Sequence, residues 1–271
     1  MRSEIDRLIA DIKASRKYGH VASSYIRSIA SQELGKRRSY NEALKATRNK
    51  LHQVGGAYLD GNMPYKVWLD ELRYAVQTGH DIDVRDTCLR IMSHHASSRE
   101  RLEGLEQFYT TIFDAIPPVH SVLDVACGLN PLAIPWMNLA PDAVYYAVDI
   151  YEDMLDFVGS AIGLFGYGAQ TIASSIHDLP PLSVTVDLAL VLKTIPCLEQ
   201  VDKSAGARLL DMVRARYIVI SYPVHSLCGH SKGMAWHYES QFHRLVSDRN
   251  WRVKQLSLRT ELAFLIDTQP C

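Results

Sequence analysis

A chain of 271 residues with 47% hydrophobic and 22% charged residues has apolar mass for one full α/β core plus a smaller appendage, and no apolar run is long enough to cross a bilayer. The formal charge of −1 divides unevenly: residues 1–60 carry 12 Lys/Arg against 6 Asp/Glu, which leaves 17 against 24 behind them. A front of net +6 ahead of a remainder of net −7 suits a basic appendage addressing a polyanion, or equally a solvated helical face, followed by an ordinary acidic domain.

From Arg2 to about Gln77 the pattern is helical. Ile5, Leu8, Ile9 and Ile12 recur at three- and four-residue spacing, as do Leu44, Leu51 and Val54. Gly55-Gly56 and Asp60-Gly61-Asn62-Met63-Pro64 break the run, and a further helix over Tyr65–Gln77 should end near Gly79. Another, roughly Asp83–Ser93, precedes His94-His95. Ser97 or Ser98 then reads as a helix start, with an arginine one turn inside placed to grip a carboxylate bidentately. After Pro117-Pro118 short apolar strands alternate with helices: Ser121–Ala126, Val144–Asp149, Gln170–Ala173, Asp187–Leu192, Tyr217–Ser221, Trp251–Leu256 and Leu262–Asp267. Such alternation predicts a mostly parallel sheet covered on both faces, with the last two strands forming an antiparallel hairpin at one edge. The expected units are a helical domain over 1–80, a helical connection over 81–117 and a catalytic α/β domain over 118–271.

Five widely separated cysteines without a C-x-x-C pair support neither a disulfide framework nor a metal site, so free thiols are expected. Glu4, Asp6 and Asp11 interrupt any secretory leader, and a cytoplasmic protein is expected. Val122-Leu123-Asp124-Val125-Ala126-Cys127-Gly128-Leu129-Asn130-Pro131 reads as a buried strand, a tight turn and a helix, which is where open α/β sheets bind nucleotides. With one glycine it is no dinucleotide fingerprint, and a cofactor without phosphate fits better. Asp149 ends the second strand, where a carboxylate can accept both hydroxyls of a ribose; Asp178, after the third, could meet an adenine amino group. Each acid alone could simply cap a loop, but Asp124, Gly128, Asp149 and Asp178 in this order read as a Rossmann-like methyltransferase.

Three stretches closely resemble the aminoglycoside-resistance 16S rRNA methyltransferases that modify N7 of guanine 1405. They are His95-Ala96-Ser97-Ser98-Arg99-Glu100-Arg101-Leu102, Leu123 to Pro131, and Ser221-Tyr222-Pro223 through Ser226-Leu227 to Lys232-Gly233-Met234. Leu51-His52 with Gly56-Ala57-Tyr58, and Thr260-Glu261-Leu262, extend the likeness over nearly the whole chain. The resemblance implies a class I methyltransferase fold with a mostly parallel seven-stranded sheet, an N-terminal helical RNA-docking domain and bound S-adenosyl-L-methionine. Carried over by position, Arg101 would hold the cofactor carboxylate, beside His95, Ala96 and Ser97. Ala126 and Gly128 would line its methionine end, Asp149 the ribose, and Asp178 with Leu179 the adenine; Tyr58 and Lys193 are further transfers. Ser226, Lys232 and Met234 would lie at the target base, Lys232 on phosphate and Met234 positioning the flipped guanine. His225 and His230 stand where relatives often place arginines, and histidine is only partly charged at neutral pH.

Guanine N7 carries a lone pair and no proton, so the implied transfer needs no general base and positioning should dominate. Cys127 could be suspected as a nucleophile, but its place in the cofactor turn favours a small packed residue. Tyr222 and Trp236 are candidates to stack on the methylated base, with core packing the plainer role for both. A target inside folded RNA must be extracted from its stack. The phosphate-contact candidates that would support this are Lys13, Arg16, Lys17, Lys36, Arg37, Arg38, Arg48 and Lys50. The expected partner is 16S rRNA in the 30S subunit, and the expected state a monomer. A methyltransferase for another RNA nucleotide or a small molecule, and a non-catalytic rRNA-binding protein, are the alternatives.

Overall fold

The computed structural model describes residues 2–53, 63–174, 184–200, 202–224, 234–258 and 260–270. Helices α1 (Arg2–Lys13), α2 (Ser23–Lys36) and α3 (Tyr40–Leu51) open the chain. Helix α3 starts where Ser39, in extended conformation, accepts the Glu42 N–H on its side chain, satisfying one of the donors a helix start leaves over. Helix α4 (Tyr65–Thr78) stops at Gly79, whose φ of +71° supplies the left-handed turn that only glycine adopts without strain. Next come α5 (Asp81–Met92), α6 (Ala96–Arg99) and α7 (Leu105–Phe113). Helix α6 differs from expectation. It begins one to two residues earlier, after an extended His95 without a side-chain cap bond, and Ser98 lies buried within it.

The remainder is a seven-stranded sheet of β1 (Val119–Val125), β2 (Leu139–Asp149), β3 (Gly168–Ala173), β4 (Val186–Leu192), β5 (Ala215–Pro223), β6 (Arg252–Leu256) and β7 (Glu261–Asp267). Helices α8 (Glu152–Leu164), α9 (Thr194–Glu199), α10 (Ala205–Met212) and α11 (Met234–Val246) connect them. The strand order is β3-β2-β1-β4-β5-β7-β6. The first five strands pair in parallel, and β7 runs antiparallel to both β5 and β6, so the expected terminal hairpin closes one edge. Each predicted strand is present. Leu123, Val125, Ala189 and Val191 face one apolar core, with Phe242 of α11 stacked on Phe264 of β7 at 3.8 Å. Val122, Leu188 and Leu190 face the other.

That second core does not stop at the sheet. It runs continuously through Phe108 and Ile112 of α7 and Trp68 of α4 to Leu8, Ile12 and Ile26 of the first two helices. Backbone bonds fasten the front of the chain to the residues that follow β2: Ala22 N–H donates to Ile150 O at 2.7 Å and Glu152 N–H to His20 O at 2.8 Å, about a two-residue bridge between Val21 and Tyr151. The basic front therefore sits beside the carboxyl end of β2. The order reverses between β1 and β4, so the crevice outside their carboxyl ends is where this topology leaves room for a ligand.

Candidate active site

At the end of β1 the chain turns sharply. Ala126 has φ +53° and Gly128 φ +52°, and the turn is pinned by Cys127 N–H to Val148 O at 3.0 Å and Asn130 N–H to Cys127 O at 2.9 Å. Gly128 is required twice over. Its backbone is left-handed, and a Cβ there would lie 2.7 Å from His95 Cε1 and 2.9 Å from Nε2. The His95 ring is buried and meets Ser97 Oγ through Nδ1 at 3.2 Å. Asp149, at the end of β2, accepts the Gly128 N–H on Oδ2 at 2.9 Å and the Ile150 N–H on Oδ1 at 2.6 Å. Burial raises its pKa although those N–H groups pull the other way.

Lys193 follows β4 directly, with φ +57°, a conformation that costs a side-chain-bearing residue free energy and is held by its surroundings. Its backbone N–H donates to Ser221 O at 3.0 Å. Its buried Nζ donates to Glu100 at 2.7 Å and to Ser97 O at 3.2 Å. The fold thus gathers His95, Ala96, Ser97, Ala126, Gly128, Asp149 and Lys193 around the ends of three strands.

Arg101 lies deeper. It is 2% exposed, with Nε and Nη2 on the two Glu261 oxygens at 2.5 and 3.0 Å, Nη1 on Asn130 Oδ1 at 2.9 Å, and its guanidinium over the Phe108 ring at 4.7 Å. Burial is the largest single influence and would raise the Glu261 pKa, but the charge and hydrogen bonds of Arg101, together with Lys193 and Ser221, jointly hold the carboxyl below its ordinary value. Sequence reasoning gave Glu261 no role. The network continues: Tyr109 Oη donates to Asn130 Oδ1 at 2.6 Å, while Asn130 Nδ2 and Tyr145 Oη donate to Asp124 Oδ2 at 2.8 and 2.7 Å. Asp124 Oδ1 is buried without a partner, and burial pushes the carboxyl up to about 6.

Asp124 is therefore more easily protonated in the folded chain than in the unfolded one. Its contribution favours the folded state below the ordinary aspartate pKa and is lost as pH rises through about 6. Thermal unfolding without cofactor should show the parent losing up to ~3 kcal/mol relative to Asp124→Asn between about pH 4 and pH 7. Parallel curves for the two proteins would refute a buried, titrating Asp124.

The family model described as "Ribosomal RNA methyltransferase (FmrO)" matches residues 14–265. The chain belongs to this family. It is 39% identical to the 16S rRNA (guanine(1405)-N(7))-methyltransferase of Micromonospora rosea, covering 97% of this chain and 96% of the relative. It is 38% identical to the protein of that name from Micromonospora echinospora, with the same coverage. Among solved structures, the 16S rRNA methylase RmtB superposes with a TM-score of 0.76 at 28% identity, covering 98% of each chain.

Within this family member the other predicted residues fall as follows. Tyr58, Asp178, Leu179, Ser226 and Lys232 lie outside the described residues, as do His225 and His230. Met234 is the first residue of α11 and half-buried. Cys127 is 4% exposed and its thiol is raised well above the ordinary range by burial, which suits packing and not nucleophilic attack. Core packing holds for Tyr222, buried and stacked on Tyr238 at 5.1 Å. It does not hold for Trp236, which is 73% exposed because the inward positions of α11 are taken by Tyr238, Phe242 and Val246.

The basic front is heterogeneous. Lys13 pairs with Glu152 at 3.3 Å. Arg37 and Lys50 both pair with the buried Glu33, at 2.9 and 2.7 Å, and Arg48 donates to Asp11 O at 3.1 Å. Arg16, Lys17, Lys36 and Arg38 are exposed, Lys17 with its Nζ at 3.0 Å from His52 Nδ1.

Proposed function

We infer that this chain transfers a methyl group from S-adenosyl-L-methionine to N7 of guanine 1405 in 16S rRNA, and that the modification protects the ribosome from 4,6-disubstituted aminoglycosides. The observation that carries this reading is the alignment of 97% of the chain with relatives bearing the name of that activity. The crevice suits the cofactor. A single glycine gives close backbone approach at one point, as a ligand without pyrophosphate requires, and the orphaned Asp124 Oδ1 leaves an acceptor in the deep wall. Asp149 would accept the ribose hydroxyls. Arg101 would hold the carboxylate through the N–H groups that Glu261 and Asn130 leave over. His95, Ala96, Ser97, Ala126, Gly128 and Lys193 would line the methionine end, and Tyr58, Asp178 and Leu179 the rest.

When bound, the donor supplies an electrophilic methyl group. N7 offers a lone pair with no proton to remove, so the chain contributes orientation and exclusion of water and no general base. Met234 would position the extracted guanine, with Lys232 and Ser226 beside it. The assembled 30S subunit in the cytoplasm is the substrate and the enzyme acts as a monomer. The exposed Arg16, Lys17, Lys36 and Arg38 supply phosphate contacts that weaken steeply with salt.

Incubation of the purified protein with 30S subunits and donor, then borohydride and aniline treatment and primer extension, should show strand scission at guanine 1405. Donor binding without scission there would transfer the case to another nucleotide, a small molecule or a non-catalytic RNA binder.

A further inference from the structure

Trp236 is the most exposed of the large apolar side chains described as exposed in this chain, at 73%, and its position is fixed by what lies behind it. Tyr222–Tyr238 stacking at 5.1 Å and Phe242–Phe264 stacking at 3.8 Å lock the inner face of α11 against β5 and β7. A residue two positions before Tyr238 lies about 160° around a helix of 3.6 residues per turn. The indole is therefore held outward and cannot rotate into the core without unstacking those rings. Tyr238 stacks on Tyr222, the penultimate residue of β5, so the start of α11 lies towards the carboxyl end of that strand, and its first turn holds no acidic residue. That end of the sheet is the one that carries Gly128, Asp149 and Lys193.

We propose that Trp236 stacks on an unpaired nucleotide of the rRNA strand next to the extracted guanine. This rests on the function inferred above. For N7 to meet a methyl donor seated at the strand ends, the nucleotides flanking the target must pass over the same rim. Extraction of a base also leaves a neighbouring base face uncovered. An outward indole towards the same end of the sheet offers a flat apolar surface to that face, and such stacking tolerates any base.

Binding of 30S subunits should be compared for the parent, Trp236→Ala and Trp236→Phe at two salt concentrations. Loss of the indole should weaken binding roughly tenfold, by the same factor at both salts, because stacking releases no counterions whereas a lost phosphate contact would flatten the salt slope. Phenylalanine should restore most of the affinity. Donor affinity and melting temperature should not move, since the side chain lies outside the core. A photoreactive benzoylphenylalanine in place of Trp236 should cross-link to 16S rRNA. Affinity of Trp236→Ala within twofold of the parent, or cross-links landing on a ribosomal protein, would overturn the proposal. Failure of the parent itself to modify guanine 1405 would instead remove the functional reading beneath it.

Discussion

Glu261→Ala should lower the stability of the chain by about 3–5 kcal/mol, a drop in melting temperature of roughly 10 °C for a chain of this size. The reason is the company Arg101 keeps. Its guanidinium is 2% exposed, and both Glu261 oxygens lie on it at 2.5 and 3.0 Å. Removing the acid leaves a buried cation bonded to Asn130 and stacked over the Phe108 ring, with Asp124 as a nearby carboxylate that does not take over the lost bidentate contact. The cost of stranding a charge exceeds the net worth of the pair itself, so Arg101→Met together with Glu261→Ala should recover part of the loss. Arg101→Lys should not substitute, because a single ammonium cannot bond both Glu261 oxygens and Asn130 in one plane. Differential scanning of the cofactor-free protein reads all three variants. A shift below about 2 °C for Glu261→Ala would mean that the pair contributes little and that Arg101 is held by packing alone.

The same pair shows where sequence reading stops. The strands were legible because apolar runs alternate with helical periodicity after Pro117-Pro118, and all seven lie within two residues of the expected place except at the start of β2. There Ala140-Pro141-Asp142 reads as a loop. In the fold Leu139 pairs with Val119 while Val144 pairs with Ser121, so the intervening residues bulge and the strand resumes in register. Gly128 and Asp149 could be singled out because each sits at a strand end whose chemistry is recognisable locally, whereas the helix start after His95 left the arginine open and Arg101 was named only from the resemblance. Glu261 could not be singled out. It looks like the polar residue before an apolar strand, and only the antiparallel placement of β7 beside β5 brings it to a residue 160 positions earlier. Ion pairs of that sequence separation leave no periodic trace. The split among the basic residues is equally invisible: Lys50 and Arg37 share the buried Glu33, Arg37 from the extended residue just past the end of α2, a pairing set by how the chain leaves the helix and not by charge.

Gly128→Ala tests the cofactor crevice where it is tightest. An alanine at φ +52° costs roughly 1–2 kcal/mol of backbone strain, and its Cβ would start 2.7 Å from His95 Cε1. The ring cannot yield freely, being buried and held at Nδ1 by Ser97 Oγ at 3.2 Å, so it must shift into the space in front of the turn or push the turn off the Asp149 carboxylate. Either movement reshapes the wall between Gly128 and Asp149, whose 2.9 Å bond joins the ends of β1 and β2. Calorimetry should find donor affinity reduced roughly 30- to 100-fold, the equivalent of about 2–3 kcal/mol, with the sheet still folded. Adding His95→Ala relieves the collision but not the backbone strain, so the double variant should regain part of the affinity lost by Gly128→Ala, a non-additivity expected of side chains in direct contact. Unaltered donor binding by Gly128→Ala would place the methionine end of the donor away from this turn, and the assignment of His95 and Asp149 to the cofactor would fall with it.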